Sequence, residues 1–151
     1  MSQKKLYRLT QEEVDGFKKE LEHLINVERP QNIIALQEAR ALGDLSENSD
    51  YDYAKSEQAH IEERIQELKM LTEPDNYELV ESRVIRVEFV EQKIIREFII
   101  GGDKGSDVLN NKISINSPLA IAVKDKIPGD EVTYYSESGR KVVIRLLNNS
   151  N

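Results

Sequence analysis

Val14, Phe17, Leu21 and Leu24 stand at spacings of 3, 4 and 3, and Val27, Ile34 and Ala41 follow at seven-residue steps. That is one apolar stripe, which predicts a helix from Gln11 to Leu42. Thr10-Gln11-Glu12-Glu13 is a capping box that starts it, because the Thr hydroxyl and the Glu carboxylate each satisfy an orphan amide of the first turn. Pro30 falls inside the run, where its missing N–H predicts a kink or brief break near Val27. A continuous helix would be on the order of 48 Å long at about 1.5 Å per residue. Gly43 is a helix stop, able to take the left-handed cap conformation without a Cβ clash.

A second stripe follows in Tyr51, Ala54, Gln58, Ile61, Ile65 and Leu68, at 3, 4, 3, 4 and 3, with Gln58 its one polar member. Two long amphipathic helices joined by a short turn pack antiparallel, since each alone leaves its stripe in water. Residues 1–76 are therefore expected to form a coiled-coil hairpin, ended by Thr72-Glu73-Pro74-Asp75-Asn76.

Beyond this the period changes to that of strands. Arg83 to Val90 and Lys93 to Ile100 alternate and read as a hairpin turning at Glu91-Gln92. Gly101 to Asn111 is a polar loop, Lys112 to Ile115 a short strand, and Ser117-Pro118 opens a short helix through Val123. Ile127-Pro128-Gly129-Asp130 is a turn, and Glu131 to Ser136 and Lys141 to Leu147 are strands around Glu137-Ser138-Gly139-Arg140. Residues 77–151 thus make a compact α+β domain, and the fold class of the whole chain is α+β.

Charge sharpens this division. The net charge is −7, and residues 1–76 hold 10 basic against 17 acidic residues while 77–151 hold 11 of each, so the excess lies in the helical half. An acidic chain is not built to grip duplex DNA through a basic surface, which needs clustered Lys and Arg. Cysteine is absent, which removes disulfides and thiolate metal sites and fits a reducing cytoplasm. Met1 to Lys5 lead into no apolar segment, and nothing approaches the roughly 20 apolar residues of a membrane span, so the expected location is cytoplasmic, without membrane contact.

Candidate chemistry gathers in Gly43-Asp44-Leu45-Ser46-Glu47-Asn48, between the two stripes. Asp44 and Glu47 are three apart, so on a first helical turn both could point the same way and offer oxygen ligands suited to Mg²⁺. Two ligands make half of a magnesium site, to be completed by a partner. The same spacing also fits a structural role, Asp44 as N-cap with Glu47 answering it. Asp50, Asp52 and Glu57 read as a solvated face favoured near a helix N-terminus. Tyr51 lies on the stripe and Tyr53 outside it. Arg40 and Lys55, on opposite helices near the tip, could contact phosphate. His23 and His60 have no partner pattern. No Walker loop, dinucleotide fingerprint, His-Glu-x-x-His, Gly-x-Ser-x-Gly or Cys nucleophile occurs, so a self-contained active site is not expected.

Three segments resemble the bacterial GreA/GreB transcript cleavage factor family over nearly the full length. They are Arg29-Pro30 with the run to Glu38-Ala39-Arg40; Gly43-Asp44-Leu45-Ser46-Glu47-Asn48-Ser49-Asp50-Tyr51; and Asn116-Ser117-Pro118-Leu119-Ala120 followed by Pro128-Gly129-Asp130-Glu131-Val132. The resemblance implies an N-terminal hairpin that enters the secondary channel of RNA polymerase and an FKBP-like C-terminal domain that docks at its rim. It implies that Asp44 and Glu47 help hold a catalytic Mg²⁺ shared with the polymerase, beside the 3′ end of the nascent RNA, for hydrolysis of backtracked transcript. The factor itself would then not be an enzyme. Arg40 and Lys55 fall where the family has basic residues, Lys55 where Arg is more usual. Ser46 stands where some members are basic and no large basic patch is evident, which is GreA-like. A monomer with at most a weak DNA contact is expected. The alternatives are a same-fold polymerase inhibitor, and a coiled-coil adaptor whose FKBP-like half binds peptides.

Overall fold

In a computed structural model, which describes residues 6–44, 47–105 and 107–149, the helical run begins as the capping box requires. The Glu13 amide donates to Thr10 Oγ1 at 3.2 Å and the Thr10 amide donates to Glu13 Oε1 at 2.7 Å. Helix α1 spans Gln11–His23 and passes through a π-helical turn, Leu24–Glu28, into α2, Arg29–Ala41. Pro30 has no amide to bond the preceding turn, and the π turn accommodates it, with the Arg29 amide reaching back to the Leu24 carbonyl. The expected kink is thus a local widening of a continuous helix.

That turn has a consequence for packing. One extra residue rotates the register by about 100°, so the apolar stripe does not continue through Val27, Ile34 and Ala41. Val27 is 39% and Ile34 54% exposed, and Ala41 is exposed too, whereas Asn32, Leu36 and Ala39 are buried. Each lies one position beyond where an unbroken 3-4 pattern from Leu24 would place it.

Gly43, with φ of 116°, ends the run, its amide donating to the Arg40 carbonyl. Helix α3 spans Ser49–Thr72 and buries Ala54, Ile61, Ile65, Leu68 and Leu71, the stripe expected of it. Leu24, Ile61, Ile65 and Leu68 form a core flanked by Phe17, Leu21 and Ile25. Contacts step backwards along α3 as they advance along α1 and α2, which makes the pair antiparallel. Arg64 grips Glu20 through Nε at 2.6 Å and Nη2 at 2.8 Å. Arg29 grips Glu62 at 2.8 and 2.7 Å, and Asn32 Nδ2 donates to the Ala54 carbonyl at 3.0 Å.

The two Arg–carboxylate forks lower the carboxyls they hold. Glu20 and Glu62 titrate below their ordinary value of 4.5, first because of the hydrogen bonds from Arg64 and Arg29 and against the opposing effect of burial. A carboxyl whose folded pKa is depressed stabilises the fold above its unfolded value and loses that contribution as pH falls through the folded one. The thermal midpoint should therefore be insensitive to these pairs above about pH 5 and fall below about pH 4.5. Glu20→Gln should flatten that acid limb in a melting series from pH 3 to 7; an unchanged limb would remove Glu20 from the account.

The chain divides into two compact units, Val14–Tyr77 on one hand and Met1–Glu13 with Glu78–Asn151 on the other. The C-terminal limit of the hairpin is close to the expected boundary at 76, but the described residues up to Glu13 group with the globular unit. They do so through pairing too short to leave a sequence period. Strand β1, Tyr7–Leu9, pairs with β2, Tyr77–Leu79, and neither was expected. The Arg8 carbonyl accepts from the Asp103 amide at 2.6 Å, and Arg8 Nη2 donates to Asp103 Oδ1 at 3.0 Å and to Asn116 Oδ1 at 2.7 Å. Glu13, 7% exposed, accepts from the Gly102 amide at 3.0 Å. A Cβ on Gly102 would stand 2.0 Å from the Arg8 carbonyl oxygen, so only glycine fits that loop.

The rest of this unit is a five-stranded sheet in the order β5-β4-β3-β7-β6, formed by β3 (Arg83–Phe89), β4 (Ile94–Ile100), β5 (Lys112–Ile113), β6 (Glu131–Tyr135) and β7 (Lys141–Leu147). Helix α4, Pro118–Val123, is capped by Ser117 and packs Leu119, Ala120 and Val123 on Ile85, Val87, Ile100, Ile144 and Leu146. Both expected hairpins form, with Ile85 opposite Phe98 and Val132 opposite Ile144. The expected strand to Ile115 stops at Ile113, and its parallel pairing with β4 had no sequence signal.

Candidate functional site: the acidic tip of the hairpin

The turn between α2 and α3 is shaped by Asn48. Its backbone is extended, with φ of −97° and ψ of 98°, and its Oδ1 accepts from the Tyr51 amide at 3.0 Å, so Asn48 is the N-cap of α3. Its Nδ2 donates at 2.6 Å to the Ala39 carbonyl at the end of α2. One side chain therefore satisfies an orphan donor of one helix and an acceptor of the other. Of the roles that the spacing left open, capping of α3 falls to Asn48 and not to Asp44, and both acids precede the first turn of α3 instead of lying on it. Asparagine is among the preferred N-cap residues, a signal that the more conspicuous Asp-x-x-Glu spacing masked.

Asp44 and Glu47 are both exposed. Leu45 and Ser46 between them lie outside the described residues. The pair offers carboxylate oxygens at exposed positions of the hairpin unit. Among the described residues no group of three or more His, Cys, Asp or Glu could hold a metal ion. The chemistry of these donors suits Mg²⁺, which takes carboxylate oxygens but usually only one or two from any one protein.

The surroundings of the pair are acidic as well. Asp50 and Asp52 lie in the first turn of α3, where the helix dipole favours them. A cleft of about 550 Å³ between α2 and α3 includes Glu28, Glu38, Asp50 and Glu57 in its lining and no Lys or Arg. Carboxylates of one sign lining a cleft focus a field that draws cations.

Arg40 is exposed, and its guanidinium carbon lies 5.9 Å from the centroid of the Tyr51 ring, a cation–π contact across the turn. Lys55, also exposed, donates to Gln58 Oε1 at 3.2 Å on its own helix. Arg40 is thus held beside the tip turn, and Lys55 is committed to a weak neighbour. Tyr51 is half-buried and Tyr53 is 70% exposed, as the stripe requires. His23 Nε2 stands 3.6 Å from Glu28 Oε2 on the surface, and His60 is exposed.

Since Asn48 holds the tip from both sides, Asn48→Ala should lower stability by about 1–2 kcal/mol. Asn48→Asp should recover the cap and not the bond to Ala39. Thermal melting of both variants checks this, and equal midpoints for Asn48→Ala and the unaltered chain would contradict it.

Two family models match the chain: one described as transcription elongation factor, N-terminal, over residues 7–73, and one described as transcription elongation factor, GreA/GreB, C-term, over residues 79–148. Transcription elongation factor GreA of Acholeplasma laidlawii is 42% identical over 149 residues, covering 93% of this chain and 94% of that protein. Transcription elongation factor GreA of Leuconostoc citreum is 36% identical over 158 residues, covering 97% and 98%. Among solved structures, the crystal structure of GreA factor homolog 1 of Thermus thermophilus aligns with 97% of this chain and 100% of that chain at 23% identity, with a TM-score of 0.42, too low to decide anything about function. No helix of the described residues is long and apolar enough to cross a membrane.

Proposed function

We propose, given that the chain belongs to the GreA/GreB family of transcription elongation factors, that its hairpin enters the secondary channel of RNA polymerase and stimulates the polymerase's own cleavage of backtracked RNA. The observation that carries this is the exposed Asp44 and Glu47 pair between the two arms of the helical hairpin, outside the N-cap of α3. Helix α3, with 24 residues, is about 36 Å long at 1.5 Å per residue, enough reach for a deep channel.

The division of labour follows from donor count. Asp44 and Glu47 would hold Mg²⁺ jointly with the polymerase, and when bound the ion supplies Lewis-acid stabilisation of phosphodiester hydrolysis. The chain's own residues bring two carboxylates to the ion, and Asn48 ties together the ends of the two helices that flank them. Arg40, parked on Tyr51, is the basic group best placed to meet an RNA phosphate; Lys55 adds a point charge without bidentate geometry. The globular unit docks at the channel rim. On this reading the chain is a monomeric cytoplasmic factor and not an enzyme, because it contributes ligands to a catalytic centre it does not contain.

Adding the chain to a backtracked elongation complex should release 3′ RNA fragments when Mg²⁺ is present and restart synthesis. Slowed nucleotide addition with no rescue of arrested complexes would instead mark a channel plug.

A further inference from the structure

The inner face of the sheet is only partly covered. Helix α4 packs on Ile85, Val87, Ile100, Ile144 and Leu146, while the other end of the same face, near the β3–β4 and β6–β7 turns, is open. There Phe89, Ile94 and Val142 floor a cavity of about 320 Å³. Ile94 is 42% exposed, and Phe89 and Val142 are half-buried. Around that floor stand Arg96, Arg140 and Lys141, all exposed, against the single carboxylate of Glu91. Among the described residues none of these three cationic side chains is held in an ion pair, in contrast to Arg145 on the same sheet, which bridges Glu88 and Glu131.

We propose that this basic-rimmed apolar cavity is a docking site for an acidic polypeptide segment that carries one large apolar side chain. Three unpaired cations over an apolar floor complement a ligand with negative charge flanking a hydrophobic anchor, which would bury the floor and pair the rim. The volume suits one such anchor and its neighbouring backbone. Single-stranded nucleic acid is the less suitable occupant. It binds by stacking bases on aromatic faces, whereas Phe89, the one aromatic residue in the lining, is half-buried and engaged with Phe98 at 79° with centroids 6.3 Å apart. This site is separate from the hairpin tip and stands whether or not Asp44 and Glu47 act on a metal ion.

The test is fluorescence anisotropy of the full chain with a fluorescein-labelled nonapeptide of alternating Glu and Asp around one central Phe. Binding should weaken at least tenfold when Arg96→Glu and Lys141→Glu are combined, and at least threefold with Ile94→Ser or with Ser replacing the Phe of the peptide. It should also weaken as salt rises. Amide shifts in the unaltered chain should move around Phe89, Ile94 and Val142, a readout that needs no variant. The proposal is overturned if the peptide fails to bind at millimolar concentration, if the variants bind it unchanged, if the shifts map elsewhere, or if a nine-residue oligouridylate binds more tightly than the peptide.

Discussion

Asp44→Asn should fold like the unaltered chain and lose stimulation of transcript cleavage by about a hundredfold. That is the effect of removing about 3 kcal/mol of charge stabilisation from a hydrolytic transition state. The folding half of the expectation rests on Asn48, which caps α3, and on asparagine keeping the size and an acceptor oxygen of the exposed Asp44, so that stability should change by about half a kcal/mol or less. The functional half rests on charge: an amide oxygen can still face a cation but brings no negative charge to it. Glu47→Gln should act the same way. Matching circular dichroism melts together with a cleavage time course separate the two halves, and a normal cleavage rate from a folded Asp44→Asn chain would remove the metal role.

Ile65→Ala should lower the stability of the hairpin by about 2–5 kcal/mol, because Ile65 is fully buried and its loss leaves both a transfer deficit and a cavity between helices that can close only partly. The neighbours Leu24, Ile61 and Leu68 cannot fill the gap without bending a helix held on both sides by the Arg64–Glu20 and Arg29–Glu62 forks. Far-UV circular dichroism should show helix melting at a lower midpoint. By contrast, Ile34→Ala, at a position that periodicity places in the stripe and the structure leaves 54% exposed, should change the midpoint little. Equal losses at the two positions would mean that the π turn does not shift the register.

That contrast shows where the sequence was legible. The stripe of α3 could be read directly, since nothing in Ser49–Thr72 disturbs a 3.6-residue period, and the capping box at Thr10 and the stop at Gly43 were local signals with local causes. The second half of the first helix could not be read by extension, because Pro30 forces a π turn whose extra residue is invisible to spacing. Both hairpins of the sheet were evident from alternation and turn residues. The grouping of the described residues up to Glu13 with the globular unit was not, because it depends on a three-residue strand, on Glu13 accepting from a glycine loop, and on contacts some ninety residues apart in the chain. At the tip the acids were conspicuous, but spacing left their structural role open, since an Asp-x-x-Glu spacing resembles a capping box and the cap of α3 is the asparagine that follows.

The most direct test of the central claim, that the tip carboxylates share Mg²⁺ with a partner's catalytic centre, is the Mg²⁺ dependence of 3′ RNA fragment release from a backtracked complex, measured with the unaltered chain and with Glu47→Gln at saturating factor. If the carboxylates share the ion, the variant should need about tenfold or more Mg²⁺ to reach half its maximal rate. If the two chains reach half-maximal release at the same Mg²⁺ concentration and the same rate, the tip acids do not hold the ion.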